Sequence, residues 1–135
     1  MVSKKAVVAV GKKKSATARA SVSKGKGLIR VNSTPVEQWG SYISRGLVME
    51  PVLISGKASK SVDISVNVKG GGAMGQAMAS RVAVARALVK YSGDESLRKE
   101  LLAYDDKILA GDSRVKETRK PNRSKARARR QKSYR

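Results

Sequence analysis

The chain has 135 residues, enough for one domain with a modest core, and a formal net charge of +20 that repels itself unless a polyanion compensates it. It holds no cysteine and no histidine, which excludes disulfides, nearly all transition-metal sites and the usual neutral-pH general base. Nucleic acid is therefore the first candidate partner and a membrane surface the second, yet no stretch approaches the roughly 20 apolar residues of a span, and no basic amphipathic helix carries large apolar residues opposite its charges.

Residues 1–111 carry 19 Lys/Arg against 8 Asp/Glu, and residues 112–135 carry 11 against 2, so both parts must face something anionic. The opening MVSKKAVVAV is too short for a signal-peptide core with its cleavage site, and a soluble, cytoplasmic chain is expected. KKAVVAV, residues 4–10, reads as a first strand broken by Gly11. The basic triplet Lys12, Lys13 and Lys14 follows, with Arg19 close behind; a solvated charge run is the usual reading of such a cluster, but no acidic cluster matches it, which favours phosphate contact. ATARASVS alternates small or apolar with polar residues, KGKG at 24–27 signals a turn, and Leu28 to Val31 returns, so 16–31 reads as a hairpin.

Residues 33–39, STPVEQW, look like a helix start: Thr34 as N-cap, Pro35 at the first helical position and Glu37 closing a capping box, the helix running to about Arg45. Pro51 then opens a further helical turn that Gly56 ends. SVDISVNVKG, residues 61–70, is a strand with Val62, Ile64, Val66 and Val68 on one face and Asp63, Ser65, Asn67 and Lys69 on the other.

Gly70, Gly71 and Gly72 lead from that strand into a helix over about 73–91, which Gly93 ends. Two readings of the glycines stand side by side: a tight strand-to-helix turn, or a backbone that approaches a phosphate at the helix N-terminus, with Gln76 beside it. The run is neither a Walker loop nor a G-x-G-x-x-G fingerprint. At 100° per residue Met74, Met78, Val82, Val84, Ala85, Leu88 and Val89 share an apolar arc. Gln76, Ala79, Ser80, Ala83, Arg86, Ala87 and Lys90 lie opposite, a small and basic face suited to RNA unless its alanines merely favour helix. Arg81 falls inside the apolar arc and breaks the pattern. Asp94 caps a last short helix carrying Leu97, Leu101 and Leu102.

From Asp112 on, Val115 is the sole aliphatic residue larger than alanine, so the segment cannot offset its ordering entropy and is expected to stay disordered until a partner orders it. A globular body over 1–111 and a basic tail over 112–135 follow. Arg114, Lys116, Arg119, Lys120, Arg123, Lys125, Arg127 and Arg129 are candidate phosphate ligands, because arginine's planar fork suits bidentate contact and stacking. Fully extended, the tail reaches on the order of 80 Å. The acids Asp94–Glu95 and Asp105–Asp106 are adjacent pairs, not convergent groups, so no catalytic residue, metal site or cofactor is expected.

GKKKSATARA, MEP at 49–51, VKGGGAMGQAMASRVAVARALV, the YDD…GDSRVKE transition and the terminal RARRQKSYR, in that order, resemble the universal small-subunit ribosomal protein nine family, in its archaeal and eukaryotic-type branch. The resemblance implies an α+β domain like the second domain of small-subunit ribosomal protein five: a mixed four-stranded sheet, helices on one face and a left-handed βαβ crossover, extended by the basic tail. It implies binding to the 3′ major domain of the small-subunit ribosomal RNA in the head, beside other head proteins, through Lys12–Lys14, Arg19, Lys69, the glycines, Gln76, Arg86, Lys90 and most of the tail. It further implies that the tail tip approaches the anticodon stem-loop of the peptidyl-site transfer RNA. By position that role falls to Arg135, with Tyr134, Ser133, Lys132 and Arg130 behind it. Arg81 matches an arginine of the family, which implies a structural or RNA-linked residue. Two other readings compete: a non-ribosomal architectural DNA binder, which would prefer duplex DNA over structured RNA, and an enzyme of the kinase superfamily, against which the short body and the lack of a magnesium-binding acid speak.

Overall fold

The computed structural model describes residues 6–122, 125–129 and 133. The valine-rich stretch VVAVGKK forms β1 (Val7–Lys13) and ATARASVSK forms β2 (Ala16–Lys24). They pair antiparallel, with Val7 opposite Val22 and Lys13 opposite Ala16, across a tight turn at Lys14 and Ser15. β1 thus passes through Gly11 instead of ending there. Gly11 is buried, and a Cβ on it would lie 2.3 Å from the Ala79 carbonyl oxygen and 2.5 Å from the Ala83 nitrogen. The glycine is a point of close backbone approach, not a strand breaker.

The expected hairpin over 16–31 is not formed. β3 (Ile29–Val31) is separated from β2 by β5 (Val62–Lys69), which pairs antiparallel with β2 and parallel with β3. The KGKG segment wraps the start of β5 instead of turning tightly: Asp63 Oδ1 accepts hydrogen bonds from the backbone N–H groups of Lys26 (2.8 Å) and Leu28 (3.1 Å). That long-range tie is invisible to a local turn rule.

The sheet has five strands, not the four expected, in the order β1-β2-β5-β3-β4. The extra strand is β4 (Thr34–Pro35), folded back on β3 through Asn32 and Ser33 at φ 51° and 66°. Two consecutive positive φ values make the turn that suits the twist of paired strands. Asn32 also extends the ladder past the end of β3, its Oδ1 accepting from Val68 N–H at 2.9 Å and its Nδ2 donating to Val68 O at 3.3 Å.

β4 takes the residues read as a helix start. Thr34 and Pro35 stand in the edge strand, where proline's missing N–H costs no ladder bond, and a short 3-10 turn covers Val36–Gln38. The helix begins later, as α1 (Tyr42–Ser55), capped by Ser41, whose hydroxyl accepts from Ser44 N–H at 3.3 Å. It runs straight through the buried Pro51 to Gly56. The Thr-Pro-x-Glu signal is real chemistry for a cap, but strand pairing claims those residues first.

After a single turn, α2 (Lys57–Lys60), β5 carries its alternation as expected, with Val62, Ile64, Val66 and Val68 buried. α3 (Ala73–Ser92) ends at Gly93 in the left-handed conformation (φ 64°), and α4 (Glu95–Tyr104) starts from Asp94, whose carboxylate accepts from Ser96 N–H at 2.9 Å. α3 lies on β1, β2 and β5 and also touches α1 and α4. It is therefore buried on two sides, and the assignment of Ala79, Ala83 and Ala87 to an RNA-facing surface is corrected: all three are fully buried with Ser80, while Met74 of the supposed core arc is 52 % exposed. Ala16, Ala18 and Ala20 of β2 are likewise fully buried, so small residues on both sides let helix and sheet approach closely.

Candidate nucleic-acid interface

The helices cover one face of the sheet and leave the other open. Period two and register place Val10, Arg19 and Asn67 in one row of that open face and Lys12, Thr17 and Lys69 in the next. Arg30 and Ser65 stand opposite one another in a third row. Arg19, Arg30, Asn67 and Lys69 are exposed, and Val8 and Val10 are 49 % and 42 % exposed. The one carboxylate at this face, Asp63, is engaged: the N–H groups of Lys26 and Leu28 hold its carboxyl below the ordinary carboxylate range. The face thus offers cations, an amide and hydroxyls, with the Asp63 carboxylate turned to backbone N–H groups and near Arg30. Ser65 and Asn67 were placed on this face of the strand by their alternation but not named as ligands, and Arg30 was not singled out, its place in the alternation of β3 being the signal available.

A second basic surface forms where the β1–β2 turn meets the start of α3. Lys13, Lys14, Gly71, Gly72, Met74 and Gly75 line a cleft of about 340 Å³. The glycines here have structural duties. Gly70 and Gly71 adopt φ 80° and 63°, and a Cβ on Gly70 would meet the Ser15 carbonyl oxygen at 2.5 Å. Gly72 differs: its φ is −101°, no side chain caps α3, and a Cβ there would meet nothing within 4 Å. The turn reading therefore holds for Gly70 and Gly71, while Gly72 sits at the uncapped N-terminus. Gln76 secures this junction, its Nε2 donating to Gly70 O at 3.1 Å.

Arg86 and Lys90 are placed elsewhere. Arg86 Nε donates to Leu109 O and its terminal nitrogen to Val10 O, both at 2.8 Å, and Lys90 Nζ donates to Val8 O at 3.3 Å. Both side chains satisfy carbonyls of the edge strand β1, which protects that edge from pairing with another chain. Arg81 is buried, with ion pairs to Glu50 and Asp105 that tie α3 to α1 and to the end of α4. Its place in the apolar arc is thus structural.

The tail leaves the body beside the lysine turn. Asp112, whose side chain is only 12 % exposed, accepts from Lys14 N–H (3.1 Å), from Arg114 N–H (3.0 Å) and from the Arg114 guanidinium (3.1 and 3.2 Å), with Lys13 Nζ 3.8 Å away. The Arg114 guanidinium first, and then the backbone N–H groups of Arg114 and Lys14, hold its carboxyl far below the usual range. Among the described residues beyond Tyr104 there is no helix or strand. Lys116, Arg119, Lys120, Lys125 and Arg129 are exposed; Arg127 pairs with Glu117 at 2.9 Å, and Ala128 N–H donates to Lys125 O, so residues 125–128 turn instead of running extended. Ser133 is exposed, whereas Arg123, Arg130, Lys132, Tyr134 and Arg135 lie outside the described residues. No metal-ligating cluster occurs among the described residues, and no helix there is long and apolar enough to cross a membrane.

An α+β domain with one open basic sheet face, a lysine turn at a helix start and a basic terminal segment is of the class suited to holding a polyanion. The family model described as ribosomal protein S9/S16 matches residues 11–135. The chain belongs to that family, and so is a ribosomal protein with a structural, not enzymatic, role in translation. It is similar to the small ribosomal subunit protein uS9 of Thermoplasma volcanium, 45 % identical over 96 % of this chain and 98 % of that one. The proteins of the same name from Pyrobaculum aerophilum and Picrophilus torridus are each 46 % identical over 96 % of this chain, covering 91 % and 97 % of their own lengths.

Proposed function

We propose that the chain is a structural constituent of the small ribosomal subunit, at work in the cytoplasmic ribosome, whose body binds ribosomal RNA of the 3′ major domain in the head and whose tail reaches the anticodon stem-loop of the peptidyl-site transfer RNA. The observation that supports this most is the set of exposed cations on the open sheet face and the lysine turn: Lys14, Arg19, Arg30 and Lys69 are exposed, while Asp63 and Asp112, the two carboxylates beside them, are occupied by backbone N–H groups. The same reading takes residues 1–111 as the body and 112–135 as the tail. It also includes a left-handed β3-to-β5 connection and, through the family likeness, Arg130, Lys132, Ser133, Tyr134 and Arg135 at the transfer RNA.

Each cation that neutralises a phosphate releases counterions, so affinity for a head-domain RNA fragment should fall steeply with salt. Replacing Arg119, Lys120 and Arg127 by alanine in the full chain should flatten that slope; an unchanged slope would show that these three cations do not touch RNA. At the tip, Arg135→Ala should speed dissociation of transfer RNA from the peptidyl site without impairing subunit assembly. A single charge-assisted contact is worth at most about 1.5–3 kcal/mol, so the effect should be modest.

A further inference from the structure

The tail root is fastened to the body at two successive points. Arg86 bridges Leu109 O and Val10 O, which fixes residue 109 against the edge of β1. Three residues on, Asp112 binds Lys14 N–H, the Lys13 ammonium and both the backbone and the guanidinium of Arg114. Lys14 sits at φ 52°, a conformation unfavourable to a residue with a side chain, so the bond to its N–H also holds the lysine turn in its strained form. An acid placed among the cations of a chain at +20 works against polyanion binding on charge alone, and needs another reason to be there.

We infer that Asp112 is a positioning residue that joins the lysine turn and the tail into one continuous track for a single RNA backbone. One carboxylate orders Lys13, Lys14 and Arg114 around itself and sets the direction in which the tail departs, beside the cleft at the start of α3. A bidentate arginine–carboxylate pair is a geometrically specific contact, unlike a lysine on a loose chain. With the root fixed, the first tail cations meet the phosphates that follow those held by the turn. With the root loose, each contact must first overcome the tail's conformational entropy.

The inference rests on the RNA-binding reading above, and the two make opposite demands on one substitution. Asp112→Ala removes a negative charge and should tighten RNA binding if charge alone decides. If Asp112 positions the tail, the same change weakens binding, by roughly three- to tenfold, although the net charge has risen. The readouts are the dissociation constant for a head-domain RNA fragment, measured on unlabelled chain, and the distance distribution between nitroxide labels at the exposed Ser96→Cys on α4 and Val115→Cys, single sites because the chain has no cysteine. The distribution should be narrow in the native chain and broad with Asp112→Ala, and Asp112→Asn, which keeps one acceptor, should fall between. A denaturant midpoint measured alongside separates this from global destabilisation, and if the alanine variant fails to fold the asparagine variant carries both readings.

Equal or tighter RNA binding by Asp112→Ala, or a distribution that stays narrow, overturns the inference; tighter binding would make Asp112 a brake that RNA releases. Failure of the underlying reading looks different: then the Arg119, Lys120 and Arg127 substitutions also leave RNA affinity unchanged.

Discussion

Nε of Arg81 stands 2.5 Å from Oε2 of Glu50, a contact of opposite charges out of line for a hydrogen bond, while its terminal nitrogen donates to Asp105 at 2.9 Å. The guanidinium carbon also lies 6.0 Å from the centre of the Tyr104 ring. One buried cation thus holds three helices together. Removing it leaves two carboxylates facing each other's field without compensation. Arg81→Ala should destabilise the fold by roughly 2–4 kcal/mol, below the upper end for buried pairs because both carboxylates keep some exposure. The urea midpoint of the variant would check this; a loss of RNA affinity with an unchanged midpoint would refute the structural assignment.

The glycine run separates into two kinds of position. Gly70→Ala forces a side chain onto φ 80° and into the Ser15 carbonyl, so it should cost roughly 1–3 kcal/mol from the backbone strain alone. Gly72→Ala meets open space at an ordinary φ and should leave stability nearly unchanged. Measuring both midpoints tests the geometry. Measuring RNA binding of Gly72→Ala then tests whether a phosphate approaches that backbone, because only in that case does an added methyl weaken affinity.

Cations with internal partners should behave differently from free ones. Lys12→Ala combined with Arg19→Ala should lower the slope of log affinity against log salt by about 1.4–1.8, one counterion's worth per lost contact. Arg86→Ala should leave the slope nearly unchanged and lower the denaturant midpoint instead, since its guanidinium holds Val10 and Leu109. Salt titrations of RNA binding on the two variants, with matched unfolding curves, distinguish the roles. Equal slope changes would mean that Arg86 leaves β1 to meet RNA.

Acid should act late on this protein. Asp105 is held below its ordinary value of 3.8 first by the Lys107 N–H and then by Arg81, Asp63 by the N–H groups of Lys26 and Leu28, and Asp112 by Arg114. All three shifts are downward. The stability they contribute is fully present above the unfolded carboxylate value of about 3.9 and is lost as pH falls through the lower folded values. With no histidine, the urea midpoint should stay flat between pH 5 and 8 and decline only below about 4. Asp63→Asn or Asp105→Asn should reduce that acid-dependent loss, and a decline that begins near pH 6 would contradict the assignment.

Elements whose signal is local were legible from the residues. β5 shows strict alternation, and α3 runs from a glycine junction to a left-handed glycine; both match their expected bounds closely. The family was readable from a handful of short motifs in order. The misreadings at residues 24–35 arose where a distant partner overrides a local preference. Thr34 and Pro35 carry good capping chemistry but pair with β3, and KGKG reads as a turn although Asp63, far along the chain, organises it.

The candidate site divides along the same line. The sequence by itself determined that this is a highly charged, acid-poor chain with lysines near one end and arginines near the other, because charge is a property of residue type. It could not separate a cation left exposed from one that already has a partner. Arg86 and Arg81 look like Arg19 and Lys69 on paper, yet both are committed to carbonyls or carboxylates brought near by packing, whereas Lys90 reaches the Val8 carbonyl and stays exposed. Periodicity likewise says which residues of α3 share a face, not what covers it, and only the fold shows that the sheet buries its alanines. Asp112 is the sharpest case: in sequence it is a lone acid at the start of a basic tail, and only the tertiary structure sets it against Lys14, 98 residues away, where one carboxylate can gather the cations of two segments.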